Sequence, residues 1–482
     1  MINAYRSKLP PLTLLDEPHL SFSPGPNAVR DIHPLRGLVN HGPFSSGTFG
    51  HFTPSVRIAT LGPGTSFRRL AELVTSLRAP HEARDKSGYV PHFPGFERLF
   101  GVGLEASLGR NHIKWPDSIH QLSGEGSPQR RLLGALESAL VQLSARQSEF
   151  DVVLVHLPDS WLPFTTGEGF DAHDMLKALG ARYGIPTQVI NDRTFTFPYK
   201  AQLAWRLSIA LYVKSGGIPW KLAPLSGVPQ DSAYIGLAYA LKSVNSETHF
   251  VTCCSQVFDM DGGGMQFVAF EAKDPVQDPH EARRNPFLSR ADMRSVIARS
   301  VSIYQQRNGG LLPKRMVIHK NNAFKEEEVQ GAMDALSGVP EVECIEISSR
   351  STWRGVWLVE SRDQNNRSAP ARYPVPRGTM LARSGTSALL WAAGNATGVS
   401  TSLDYYQGGK SIPRPLVLMR HAGRGPLETV ALEALALTKM DWNNDALYGP
   451  VPVSIRYSQK LARTIANVQG LPGSTYPYRL FM

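Results

Sequence analysis

The sequence predicts an α/β protein of two modules, on three observations. Strand-like and helix-like patterns alternate from about residue 55 to residue 225. A continuous β-branched run stands in the middle of that stretch, and beyond residue 231 the pattern changes to a meander of three strands. The length agrees, since 482 residues correspond to two or three domains at about 150 residues each.

Residues 1–55 are rich in Pro, Gly, His and Ser and read as an irregular lead-in that packs on the rest. Val56 to Thr60 alternates like a strand and runs into the turn Gly62-Pro63-Gly64-Thr65-Ser66. Phe67, Leu70, Leu73 and Leu77 then recur at helical spacing. Leu132, Leu133, Leu136, Ala139 and Leu143 mark an amphipathic helix over 130–145, which leads into the buried parallel strand Asp151 to Leu157. A helix over 171–183, a strand at Pro186 to Ile190 and a helix over 200–215 closed by Gly216-Gly217 complete a Rossmann-like layer.

In the second unit Tyr234 to Leu241, Thr248 to Ser255 and Met265 to Phe270 read as antiparallel strands. A helix over 289–306, a strand at Arg315 to His319, a helix over Lys325 to Leu336 with an acidic first turn, and a strand at Cys344 to Ile347 follow. That order matches a ribonuclease-H-like fold. The chain ends Tyr476-Pro477-Tyr478-Arg479-Leu480-Phe481-Met482, and so apolar a terminus predicts a last residue tucked inside.

The net charge is +10, which permits nucleic-acid binding and equally suits a basic solvated surface. Three cysteines in no zinc-like spacing, two of them adjacent, argue against a secreted disulfide framework. The N-terminus lacks a signal-peptide core and no stretch has the length of a transmembrane helix, so a cytoplasmic protein is expected.

His173 and Lys177 stand at i and i+4 and share a helix face, Gln188 ends the next strand, and Lys214 lies 26 residues later in the last turn of a helix. A doubly negative terminal phosphate needs donors that converge from separate elements in this way. As an isolated pair, His173 and Lys177 read better as a solvated helix face. Lys214 also suits a helix C-terminal dipole. Against that, Lys214 falls on the apolar stripe of Leu203, Leu207, Ala210 and Leu211, where a lysine needs a partner.

Several linked segments carry a resemblance to a family: Asp16 to Leu20, Gly37-Leu38 to Gly42-Pro43, Ile185 to Gln188, Lys214 to Trp220, Val317 to Lys320, and Leu437 to Asn443. In their order and spacing the chain resembles a short prokaryotic Argonaute, with a MID domain over 1–230 and a PIWI domain over 231–482. The resemblance implies that His173 and Lys177 hold the 5′-phosphate of a guide strand, that Gln188 contacts its first nucleotide and that Lys214 reinforces the phosphate. It also implies that the carboxylate of Met482 joins the guide phosphates through Mg²⁺, a cation that favours carboxylate and phosphate oxygens. Lys439 would contact the nucleic-acid backbone.

Active relatives hold two metals with carboxylates where this chain has Ala238, Asn321 and Gln459, side chains that cannot carry them. The resemblance therefore implies a nuclease fold without nuclease chemistry. The guide would be RNA with a 5′-phosphate and the target invading single-stranded DNA. An accessory chain with a sirtuin-like or TIR effector, less often a nuclease, would be activated and deplete NAD or otherwise kill the host. Two alternatives stand beside this expectation: an active guided endonuclease, and an unrelated nucleotide-handling α/β enzyme.

Overall fold

The fold is that of a computed structural model, which describes residues 12–83, 90–106, 109–167, 170–244, 247–257, 266–271, 287–360, 368–371, 373–396, 398–399, 405–406, 412–443, 446–466 and 475–482. Within the lead-in lie strands β1 (Leu12–Leu14), β2 (Leu20–Ser21) and β3 (Arg30–Asp31) and helices α1 (Pro34–His41) and α2 (Ser46–Phe52). The sequence pattern marks none of these. Helix α1 forms because His33 Nδ1 accepts from Leu35 N and Arg36 N at 3.2 and 3.3 Å, Pro34 occupies the first turn, and Gly42 ends it at φ 73°.

The first module follows the predicted alternation. Its elements are β4 (Ser55–Pro63), α3 (Ser66–Arg78), β5 (Gly103–Ala106), β6 (His112–Trp115), α4 (Pro128–Ser144), β7 (Val152–His156), α5 (Ala172–Tyr183), β8 (Thr187–Ile190) and α6 (Lys200–Lys214). The strands form one parallel sheet in the order β8-β7-β4-β5, with β6 pairing the far end of β4. Every residue of β7 is buried, as a strand covered on both faces must be. The short β5 and β6 were not legible, because neither carries an apolar run.

A two-residue strand, β9 (Lys221–Leu222), pairs with β2 and leads to the second module. That module holds β10 (Ser232–Val244), β11 (Glu247–Val257), β12 (Gln266–Glu271), α7 (Arg290–Arg307), β13 (Arg315–Lys320), α8 (Glu326–Ala335), β14 (Glu341–Ser348), β15 (Thr379–Ala382), β16 (Ser387–Leu390), β17 (Leu416–Ala422), α9 (Leu427–Leu437), α10 (Val453–Ala466) and β18 (Thr475–Pro477). The sheet runs β1-β15-β16-β17-β14-β13-β10-β11-β12-β18, with an antiparallel meander β10–β12 and a parallel centre β10-β13-β14. Helices α7 and α8 cover one face; α9 and α10 cover the other. Helix α10 sits so close to β10 that a Cβ on Gly236 would collide with the carbonyl of Ser454.

The lead-in does not group with the first module alone. Strand β1 extends the edge of the second sheet, and Glu17 ties that arrangement down. Its carboxylate binds Arg377 Nε at 2.9 Å and Lys439 Nζ at 2.6 Å; Lys439 also donates to Pro18 O at 2.6 Å. Burial pushes the Glu17 pKa up, but Arg377 and Lys439 outweigh it and hold the group below its usual value. Trp220 Nε1 donates to Lys439 O at 3.1 Å, so the same point joins the end of the first module. One hydrophobic core contains Phe22, Trp205 and Tyr212 together with Leu435, Trp442 and Phe481. The terminus is tucked inside as predicted, with Leu480, Phe481 and Met482 all buried.

Glu17→Gln should strongly destabilise the chain, because it leaves two buried cations facing each other. The expected loss is about 3–5 kcal/mol in urea unfolding, the scale for breaking a buried pair from one side. Adding Lys439→Met should recover much of it. No loss in the single variant would show that the triad contributes nothing to stability.

Candidate functional site

The site lies where α5, α6 and β8 of the first module meet α10 of the second. Helix α5 starts at Asp171, whose side chain caps Asp174 N, and ends at Gly184 in the left-handed region. Its inner face carries Lys177, only 2% exposed, and Nζ donates to Thr187 O at 2.6 Å. Helix α6 carries Lys214, 1% exposed, and its Nζ donates to Gln188 Oε1. Gln188 Nε2 in turn donates to Val189 O at 3.0 Å. Lys214 is near enough to Lys177 to lower its pKa. Three of the four predicted phosphate residues therefore converge.

A third lysine enters from the second module. Lys460 on α10 is close enough to depress the pKa of both Lys177 and Lys214. Burial, then Lys214 and Lys460, push Lys177 well below the usual lysine value. Burial, then Lys460, bring Lys214 to about 7. Burial likewise brings Lys460 to about 8, against the opposing pull of Asp441 and Asp174. Buried like charges without a counter-ion are costly, and a site built from them is suited to an anion. No pattern in the sequence singles out Lys460; only the packing of α10 against α5 brings it here.

His173 does not join these groups. It is exposed at the first turn of α5, with Nδ1 3.7 Å from Asp174 Oδ1. One turn of helix separates it from Lys177, enough to carry it from the buried seam to the rim. Asp171, His173 and Asp174 bring three ligand atoms within 4.8 Å of one another. Asp171 is occupied in capping, and Asp174 accepts from Thr464 Oγ1 at 3.1 Å. Met482 is buried in the shared core, and the turn Tyr478–Leu480 before it packs on α5 and α6. The expectation that Lys439 contacts nucleic acid is corrected: its side chain is fully buried and spent on Glu17 and Pro18. Burial brings its pKa to about 8 despite Glu17. Arg420 is likewise bound to Glu343 at 2.8 Å, whereas Arg414, Arg424 and Arg463 are exposed.

The positions that correspond to a nuclease centre lie on the α10 face of the second sheet. The register pairs Leu237 with Lys320, so Ala238 and Asn321, one step further, stand side by side. Two residues earlier, His319 Nδ1 meets Ser454 Oγ at 2.8 Å above Gly236. Burial lowers the His319 pKa to about 3, so the ring is neutral. Gln459 does not face this point. It is five residues beyond Ser454 and so about 140° around the helix, while the buried Ser458 lies within about 40°. Asp441, which also packs on α10, is taken by Arg456 at 2.7 Å and by the Tyr457 hydroxyl at 2.8 Å. Asp259 and Asp261 lie outside the described residues. The Asp171–Asp174 group belongs to the other end of α10, since Thr464 is about 15 Å along the helix from Ser454.

No protein-family model matches the chain, and no curated protein matches it in sequence. Solved structures do match. Clostridium butyricum Argonaute, bound to a guide DNA (5′ deoxycytidine) and a 19-mer target DNA, superposes with a TM-score of 0.68 at 15% identity. That match covers 98% of this chain and 55% of the other. Drosophila Piwi gives a TM-score of 0.61 at 16% identity, covering 97% and 56%. Aa-Ago with externally-bound siRNA gives 0.59 at 15%, covering 98% and 55%.

The fold is the MID–PIWI fold of Argonaute. The chain spans about half the length of the Argonaute and Piwi structures it matches. Against that fold the three lysines sit in the seam between the MID-like and PIWI-like modules. Among the described residues, no helix is long and apolar enough to cross a membrane.

Lys214→Met should stabilise the free chain, because it removes a depressed buried cation. Replacing buried ionic groups with well-packed apolar ones gains on the order of 1–4 kcal/mol at most. Lys214 has its folded pKa, about 7, below its unfolded value. The unfolded chain therefore binds the extra proton between about pH 7 and 10, and this group's contribution to stability rises with pH over that window. A melting-temperature gain for Lys214→Met that is larger at pH 7 than at pH 10 is the expected pattern.

Proposed function

We propose that the chain binds the 5′-phosphate of a guide strand at Lys177, Lys214, Lys460 and Gln188 and uses the guide to recognise a complementary target. The observation that carries this reading is the lysine cluster. Lys177 and Lys214, both buried and carried by two helices, lie together with the half-buried Lys460 of a third helix near them, a grouping that is costly without an anion and favourable with a phosphate dianion. A terminal phosphate carries a second charge that an internal phosphodiester lacks, so the cluster distinguishes a strand end from a strand interior. Base pairing supplies the sequence, and the protein reads backbone and shape. By the resemblance to short Argonautes, the guide is RNA and the target invading single-stranded DNA.

In an empty pocket the ammonium groups repel a divalent cation. Mg²⁺ would be held only together with a bound guide, by its phosphate oxygens and, as the resemblance implies, by the Met482 carboxylate. We further propose that recognition proceeds without cleavage. The support is the setting of Ala238 and Asn321, where the described hydrogen-bonding neighbours are His319 and Ser454. Binding then has to be read out elsewhere, by an accessory effector chain that consumes NAD or otherwise stops the cell.

Guided cleavage is the second reading. The overall likeness to Argonautes favours it, as does His319, a neutral imidazole whose Nε2 has no hydrogen-bond partner among the described residues and which is a metal-ligand type.

Two experiments test these readings. Lys177→Ala with Lys214→Ala should weaken a 5′-phosphorylated guide by about 10- to 100-fold per lost contact, and should change a 5′-hydroxyl guide far less. Equal losses for both guides would assign the lysines to folding or to general backbone attraction. The guide-loaded chain should leave a matched target intact in Mg²⁺ or Mn²⁺. Cutting opposite the middle of the guide, abolished by a chelator, would establish the second reading.

A further inference from the structure

Arg479 stands in the turn Tyr478–Leu480, between strand β18, which pairs with β12 at the edge of the second sheet, and the buried terminus. The turn packs on α5 and α6, so the second module delivers this arginine to the first. Its Nη1 lies 3.3 Å from the place a Cβ would take on Gly216, two residues beyond Lys214. Gly216 holds φ at 110°, where glycine is favoured, and the missing side chain leaves the guanidinium room against the end of α6.

Arg479 is half-buried, and among the described residues it makes no hydrogen bond and no ion pair. A guanidinium carries five donors in a fixed fork, and one held partly out of water without an acceptor is incomplete. Capping the helix end does not account for it, because backbone groups already do that. Leu211 O accepts from Ser215 N at 3.0 Å, Val213 O from Gly216 N at 3.0 Å and Tyr212 O from Gly217 N at 2.9 Å. The neighbouring cations have acceptors: Arg456 is bound to Asp441, Lys177 donates to Thr187 O and Lys214 donates to Gln188 Oε1. Arg479 bonds to none of these acceptors, so it stands beside the lysines and not among them.

We propose that Arg479 is a second anchor for the strand, binding an internucleotide phosphodiester near the 5′ end while the lysines hold the terminal phosphate. This rests on the phosphate-pocket reading and extends it from one phosphate to a short strand. A phosphodiester is a monoanion with two free oxygens, which the guanidinium fork can take in a bidentate contact. The lysine cluster carries more charge and suits the terminal dianion. A free mononucleotide has a terminal phosphate but no following linkage, so it fills the first position and leaves the second empty. The two positions together select a strand over a mononucleotide.

The test measures binding of 5′-phosphorylated guides to the full chain and to Arg479→Gln. One guide has only phosphodiester linkages. A second has its first two linkages replaced by uncharged methylphosphonates, and a third has two linkages far from the 5′ end replaced in the same way. Arg479→Gln should weaken the first and third guides by about tenfold or more, the scale of a charge-assisted contact, and leave the second unchanged. The unsubstituted chain gives a measure that does not depend on the variant's folding: neutralising the first two linkages should cost more than neutralising the distant two. Equal losses for all three guides in Arg479→Gln, no loss for any of them, or equal costs for near and distant linkages in the unsubstituted chain would overturn this inference and leave the lysine pocket standing. A 5′-hydroxyl guide that binds as tightly as the phosphorylated one would overturn the pocket itself.

Discussion

The site depends on one unfavourable arrangement: Lys177 and Lys214 are buried in one seam with the half-buried Lys460 near them, and among the described residues no carboxylate is bound to Lys177 or Lys214. Everything around them serves to hold that arrangement. The MID-like sheet fixes β8, so that Thr187 O and Gln188 Oε1 receive the two inner lysines. The PIWI-like sheet fixes α10 through the close contact at Gly236 and the His319–Ser454 bond. The seam holds a site because two independently built layers present their cations to the same point.

A buried cation cluster needs a fold stable enough to tolerate it. The Glu17–Arg377–Lys439 triad supplies part of that stability at a place where the lead-in, the end of the first module and α9 meet. Its logic is opposite to that of the pocket. Each cation there has an anion, so the triad is complete as it stands. The lysine cluster is incomplete and therefore suited to a ligand. The contrast between Lys439 and Lys214, both buried lysines lowered by desolvation, shows why burial alone does not identify a binding residue.

Much of this was legible in the residues. The alternation of Val152–His156 with its flanking helices and the meander at Ser232–Glu271 follow from periodicity, which is a local property. The conjunction of Lys177, Gln188 and Lys214 was legible because a lysine on an apolar stripe needs an explanation. What stayed hidden depends on distant partners. Lys439 looked like a ligand-facing cation because its partner Glu17 lies at the other end of the chain. Lys460 was hidden for the same reason in reverse, since only tertiary packing carries it to the first module. Gln459 was displaced by the helical phase of α10, where one residue is 100°. His173 and Lys177 share a sequence spacing but not an environment, because the first turn of α5 is at the surface.

The central claim is that the lysine cluster is a receptor for a terminal phosphate. Its most direct test is the melting temperature of the free chain titrated with a nucleoside 5′-monophosphate and, in parallel, with the unphosphorylated nucleoside. A ligand that binds only the folded state stabilises it by RT ln(1 + [L]/Kd). The account predicts a dose-dependent rise for the monophosphate, none for the nucleoside, and none for either when Lys177 and Lys214 are both replaced. A rise that is the same for both ligands, or one that survives the double replacement, would contradict it.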